Sequence, residues 1–209
     1  MAEVVLYDYW RSTASWRVRI GLHLAGIAFE SRAVDLLHGD QRAAAHLARS
    51  PQGLVPVLDI DGIRLTQSLA MLDYLEATGR IALTPADPAQ AARARAVALG
   101  IACDIHPVCN LRVVAHAAAL SGRDETKAEW MRAFIRPGLE AIEAMLDAQG
   151  PFAMGDTLTL ADLCIVPQLY NAARWGVQTN DLPRLTRVAA HCATLDAFQK
   201  AEARAPQTT

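Results

Sequence analysis

Lysine is nearly missing from this 209-residue chain, occurring only at positions 127 and 200, so almost all of its 20 cations are arginine. Against 22 acidic residues the formal charge is −2, which offers no basic surplus to draw a nucleic-acid backbone. Cysteine is scarce and unpatterned: Cys103, Cys109, Cys164 and Cys192 form no CxxC pair and have no His pair at zinc spacing, so neither disulfides nor a metal site is expected. Cys103 and Cys109 flank His106 in CDIHPVCN, yet buried, reduced thiols are the plainer reading. No catalytic cysteine is evident, so any thiol chemistry would need a thiol carried in by a ligand. No uninterrupted apolar run approaches membrane-spanning length, and the N-terminus lacks a basic region followed by an apolar core. A cytoplasmic protein with no membrane partner is expected. What is present, 52% apolar and 20% charged residues, describes an ordinary globule with a sizeable core.

The chain is organised around RSTASWRVRI, Arg11 to Ile20. The run Val4 to Tyr7, closed by Asp8, reads as a buried strand. Helical spacing follows at once, with Val18, Leu22 and Ala25 on one stripe and Trp16, Ile20 and Leu24 beside it. A strand therefore hands over to a helix N-terminus, where unpaired N–H groups and a partial positive charge gather. A hydroxyl there either caps the helix or holds an anion. Ser12, Thr13 and Ser15 are more hydroxyls than one cap needs, and Arg11 stands in the loop with access to a ligand. Arg17 and Arg19 read as solvated or paired surface residues.

Gly26 stops this helix, and Phe29 to Val34 reads as a second strand, giving βαβ. Asp35 to Ser50 carries no strong signal beyond weak helical patterning at Ala43 to Leu47. LVPVLDIDGIRL predicts a hairpin, Val55 to Ile60 and Ile63 to Leu65 about an Asp61-Gly62 turn, with Pro56 at its start. Gln67-Ser68 precedes the helical pattern Leu69, Leu72, Leu75, placing a second helix N-terminus here. A βαβ–ββα unit over residues 1–80 results, with Gly79 and TPADP as linker. An all-helical part over 88–209 follows, with helices expected at Pro88 to Leu120, bent by Pro107, then Asp124 to Gln149, Leu160 to Trp175 and Leu185 to Ala203. Thr159 to Asp162 fits a capping box. A polar tail beyond Arg204 is expected to fray.

These motifs together resemble a glutathione transferase: a thioredoxin-like domain with VP at the hairpin and QS before the third helix, then a helical domain. RSTASWRVRI, SPQGLVPVL, QSLAMLDYLE, CDIHPVCNLR, GDTLTLADLCIVPQ and NAARWGV are similar to stretches of the zeta class, the family of maleylacetoacetate and maleylpyruvate isomerases. One departure is Ala14, which stands where the zeta pattern commonly has cysteine, so roles ascribed to that cysteine do not carry over.

The resemblance implies glutathione as cofactor. It implies that Ser12 or Thr13 positions the sulfur, Val55 pairs its backbone with the tripeptide beside a cis Pro56, and Gln67 with Ser68 holds the γ-glutamyl carboxylate. Gln52 is a further polar contact, Asp104 reaches a γ-glutamyl amine across a homodimer interface, and His106 and Asn110, about a turn apart on one helical stretch, face the same pocket. Arg11, Arg112 and Arg174 would take the carboxylates of a dicarboxylate substrate, the helical domain supplying the substrate pocket and the dimer contacts. The implied reaction is a reversible thiolate addition that frees a cis double bond to rotate. A glutathione-conjugating or dehalogenating enzyme, or a non-catalytic binding module on the same fold, are the alternatives.

Overall fold

Val5–Asp8 forms β1, buried along its whole length, and the chain turns directly into α1, Thr13–Leu24. The computed structural model describes residues 3–203; the tail beyond Arg204, expected to fray, lies outside them. β2, Glu30–Ala33, runs parallel to β1 on the sheet edge with all four residues exposed. After a 3-10 turn at Asp40–Arg42 and a short α2, Ala44–Leu47, the chain enters the hairpin of β3, Val57–Ile60, and β4, Ile63–Thr66. The sheet order is β2-β1-β3-β4, with β3 antiparallel to both neighbours. Asp61 and Gly62 both have positive φ, 52° and 79°, as a type I′ turn requires. β3 begins two residues later than the apolar run suggests, because Pro56 has no N–H to give a ladder. α3, Ser68–Ala77, completes the βαβ–ββα thioredoxin-like unit.

α1 and α3 pack closely. A Cβ on Gly21 would lie 2.3 Å from Leu72 Cδ2, so a larger residue there would force the buried Leu72 side chain to shift or the helices to part. One turn earlier on each helix, Arg17 Nη1 donates to Ser68 Oγ at 3.2 Å. The paired positions 17 and 68, then 21 and 72, step in the same direction, so both helices start at the same end of the sheet.

Arg17 and Arg19, expected on the surface, are buried, 2% and 8% exposed. Arg17 lies against α3, through Ser68, and Arg19 lies under α10, Asp196–Ala201, which packs on α1 from a segment some 180 residues downstream. Arg19 donates to Asp8 at 2.6 Å, to the Trp10 carbonyl at 3.1 Å and to the Ala201 carbonyl at 3.0 Å, while Ser31 Oγ donates to the other Asp8 oxygen. A buried ion pair of this kind is satisfied on every side. It also fastens the loop that leads into α1.

The described residues group into two compact units, one running to Ala82 and including α10, the other from Leu83 to Thr194. The helix read as Leu185 to Ala203 is therefore two: α9, Pro183–Cys192, and α10, parted by extended Leu195. The second unit holds α4, Pro88–Leu99; a π turn, Gly100–Ile105; α5, His106–Val108; α6, Leu111–Ser121; α7, Thr126–Met145; and α8, Leu160–Arg174, before α9. Pro107 cannot donate to the helix ladder and crowds the carbonyl four residues back, and the π turn precedes it. The stretch Pro88–Ser121, interrupted by charged residues, contains an 18-residue window of mean hydropathy 1.4, apolar enough to span a membrane by length and composition alone. It is a succession of shorter helices broken at Asn110.

Candidate active site

The registers Tyr7 with Val57 and Val57 with Thr66 bring residues 9–13, 54–56 and 67–68 to one end of the sheet, the end where α1 and α3 begin. Ser12 is the N-cap of α1, its Oγ accepting from the Ser15 N–H at 3.2 Å. That bond uses a lone pair and leaves the hydroxyl hydrogen free to donate, so a capping hydroxyl here is still able to bind a ligand. Ser12 is half-buried, whereas Thr13 is only 6% exposed. Ser15 is fully buried and its hydroxyl has no partner.

Arg11 donates to Tyr9 Oη at 2.8 Å, and its guanidinium lies 4.9 Å from the Trp10 ring centroid. The two aromatics hold the arginine by a hydrogen bond and a cation–π contact. They escape a motif reading because nothing in their spacing sets them apart from core residues.

Gln67 Nε2 donates to Gln52 Oε1 at 2.7 Å, so two residues fifteen apart form one polar contact. Gln67 has φ 69° and ψ 115°, costly for a residue with a Cβ, and its side chain does not cap α3. The first N–H groups of α3 therefore have no side-chain acceptor. Ser68 is buried beside Arg17, whose Nε and Nη2 have no partner. Val55 is half-buried against Val5, Tyr7, Val34 and Val57, and its bond to Pro56 is cis, as the resemblance implies. His46, from the segment without a clear signal, is buried and its Nε2 meets the Leu54 carbonyl at 3.0 Å, supporting that approach.

In the second unit Asp104 is exposed on the π turn and His106, half-buried, opens α5. His106 and Asn110 do not share one continuous helix: the helix ends at Cys109, and Asn110 is the N-cap of α6, its Oδ1 accepting from the Arg112 N–H at 3.1 Å. The i, i+4 spacing misleads here because an asparagine after a proline-bearing turn starts a new helix. Arg112 is exposed on α6, and Arg174 is exposed in the last turn of α8, 5.6 Å from the Trp175 ring centroid. Cys109, Cys164 and Cys192 are buried and Cys103 is exposed. Burial pushes the Cys109 thiol up to about 11 and raises that of Cys192 further, so neither is a thiolate near neutrality. Among the described residues no cluster of His, Cys, Asp and Glu can hold a metal ion. The first unit thus presents two helix N-termini, hydroxyls and a buried cation at one end, a combination suited to a ligand with two anionic groups.

Residues 11–78 match the family model of the glutathione S-transferase N-terminal domain, and residues 90–194 match that of the C-terminal domain. The chain is 56% identical to a maleylacetoacetate isomerase of Rhizobium meliloti strain 1021, with 95% of each chain covered. The chain belongs to the zeta class of the glutathione transferases. A holo structure of a maleylpyruvate isomerase, a bacterial zeta-class transferase, superposes with a TM-score of 0.93 at 39% identity, covering 98% of this chain and 100% of the other. The maleylacetoacetate isomerase of Methylobacterium extorquens AM1, solved with bound malonate and glutathione, gives 0.92 at 40% identity, covering 98% and 99%. Ala14, where the zeta pattern commonly has cysteine, is a half-buried alanine in the first turn of α1.

Proposed function

We propose that this chain is a glutathione-dependent cis-trans isomerase that converts maleylacetoacetate or maleylpyruvate to the fumaryl product, in the breakdown of aromatic compounds in the cytoplasm. The observation that carries this reading is the 56% identity to a maleylacetoacetate isomerase along nearly the whole of both chains. The geometry of the first unit supports the glutathione part: an uncapped α3, a buried Ser68 beside an unpaired guanidinium, and Ser12 with a free hydroxyl hydrogen fit a ligand bearing a carboxylate and a thiolate.

When bound, glutathione supplies a thiolate that adds reversibly to the conjugated double bond and leaves again after rotation, so it is not consumed. The residues of the chain prepare that chemistry. Ser12 donates its hydroxyl hydrogen to the sulfur, aided by the N-terminus of α1. A free thiol has a pKa near 8.5, and lowering it by two units asks for roughly 2.7 kcal/mol of preferential thiolate stabilisation. One charge-assisted hydrogen bond and a helix terminus supply that order. Thr13, buried behind Ser12, supports the turn. Val55 offers its backbone to the tripeptide, Gln67 and Ser68 take the γ-glutamyl carboxylate, and Gln52 steadies Gln67. Asp104, His106 and Asn110 contribute to the glutathione site of a homodimer, Asp104 toward the γ-glutamyl amine bound by a second copy. Arg11, Arg112 and Arg174 take the substrate carboxylates, and Arg11, fixed by Tyr9 and Trp10, also meets charge developing on the substrate carbonyl.

Incubation with maleylpyruvate and with maleylacetoacetate, with and without glutathione, tests the reading. Fumaryl product is expected only with glutathione present and with free thiol undiminished. Stoichiometric thiol loss would instead indicate a conjugating or dehalogenating enzyme, and no glutathione binding by calorimetry a non-catalytic module. Arg174→Ala is expected to raise KM for the dicarboxylate roughly tenfold or more, the worth of one hydrogen bond to a charged group, with kcat and glutathione affinity held. A carboxylate that does not react is bound equally in ground and transition states, which is why KM moves and kcat does not. An unchanged kcat/KM would return Arg174 to the surface.

A further inference from the structure

Among the described residues of the first unit, Arg17 is a buried cation with no carboxylate in hydrogen-bond contact. Arg19, two residues on, lies 2.6 Å from Asp8 and uses its other nitrogens on two carbonyls. Arg17 is 2% exposed, gives one hydrogen bond, Nη1 to Ser68 Oγ at 3.2 Å, and leaves Nε and Nη2 buried without partners. A guanidinium taken out of water with no anion beside it is strongly unfavourable. The helix packing holds it there all the same, because Gly21 lets α1 lie against α3 one turn further on. Its single partner is the first residue of α3, a ten-residue helix whose N-terminus has no side-chain cap.

We propose that Arg17 is a positioning residue for the anion site at the start of α3, making that site selective for a carboxylate over its neutral counterpart. By donating to Ser68 Oγ it occupies a lone pair from the protein side, so the hydroxyl hydrogen turns outward as a donor to the ligand. Its charge, screened little at this depth, adds to the positive end of α3. The ligand carboxylate then answers a charge that the folded chain leaves unpaired. This inference rests on the assignment of Gln67 and Ser68 to the γ-glutamyl carboxylate of glutathione and adds Arg17 behind them.

Calorimetric affinities for glutathione and for an analogue whose γ-glutamyl α-carboxylate is a carboxamide decide the matter. The unaltered protein is expected to prefer glutathione by roughly 10- to 100-fold, the range for hydrogen bonds to a charged group. In Arg17→Met that ratio should fall to within about threefold, and Arg17→Lys, which keeps the charge, should recover part of it. A packing role alone would weaken both ligands equally and leave the ratio at its original value, which overturns the proposal. Should Arg17→Met fail to fold, Ser68→Ala decides: the ratio must drop there too, because Arg17 acts through that hydroxyl, and an unchanged ratio rejects the relay. Absence of any glutathione binding would remove the functional reading as well, whereas tight binding of both ligands without preference would remove this inference alone.

Discussion

Ser12→Ala is expected to lower turnover about 10- to 100-fold and to raise the pH at which bound glutathione ionises by one to two units. The magnitude is that of one hydrogen bond to a charged acceptor, roughly 1.5 to 3 kcal/mol. The thiolate loses this bond and the neutral thiol loses less, so the proton is released at higher pH. The same substitution removes the acceptor for the Ser15 N–H, and the loss of that cap costs about 1 kcal/mol of stability. Absorbance of the bound thiolate against pH separates the two effects, because a loosened cap leaves the ionisation where it was. A titration unchanged in Ser12→Ala, together with a shifted one in Thr13→Val, would move the role to Thr13.

A second large effect is expected in the second unit. Asp162 is fully buried in the first turn of α8, one oxygen accepting from the Ala153 N–H at 2.7 Å and the other from the Thr159 N–H at 2.7 Å and the Thr159 hydroxyl at 2.9 Å. With Thr159 this makes a reciprocal capping box, and it also ties the loop before α8 to the helix. Asp162→Asn turns an amide NH2 toward donors it cannot satisfy. The cost should be roughly 3 kcal/mol or more, which for a chain of this size lowers Tm by about 6 to 12 °C. Burial pushes the Asp162 carboxyl above its ordinary value, against the pull of its three hydrogen bonds. A group whose folded pKa is raised binds its proton more tightly when folded. Its contribution to stability is therefore largest in acid and is lost as pH rises through the folded value. That pH dependence should vanish in Asp162→Asn. Thermal melts of both proteins across the acid range check both statements, and a variant melting within about 2 °C of the parent would reject the structural role.

Much of this molecule is written in local chemistry. The switch from a short apolar run to helical spacing at Ser12, the Asp61-Gly62 turn, the QS before α3 and the TLAD box at 159–162 each depend on residues within a few positions of one another. Short-range sterics and hydrogen bonding suffice to read them, and they locate the end of the sheet where α1 and α3 begin before any packing is considered. The boundaries were less legible. The break between His106 and Asn110 arises because an asparagine cap competes with helix continuation, and spacing alone does not say which prevails.

The fate of charge is what only the tertiary structure decided. Arg17 and Arg19 look like surface residues because a cation in an amphipathic helix ordinarily meets water. They are interior because α3 covers one and α10, returning from the end of the chain, covers the other. The same holds for Gln52 against Gln67, fifteen residues apart, which the pairing of β3 with β4 brings together. A residue's type and near neighbours determine which hydrogen bonds and charges it brings, and these were present in the sequence itself. Whether a charge is solvated, paired or left waiting for a ligand depends on what folds over it, and for Arg17 that was settled by a glycine on its own helix and a serine fifty-one residues away.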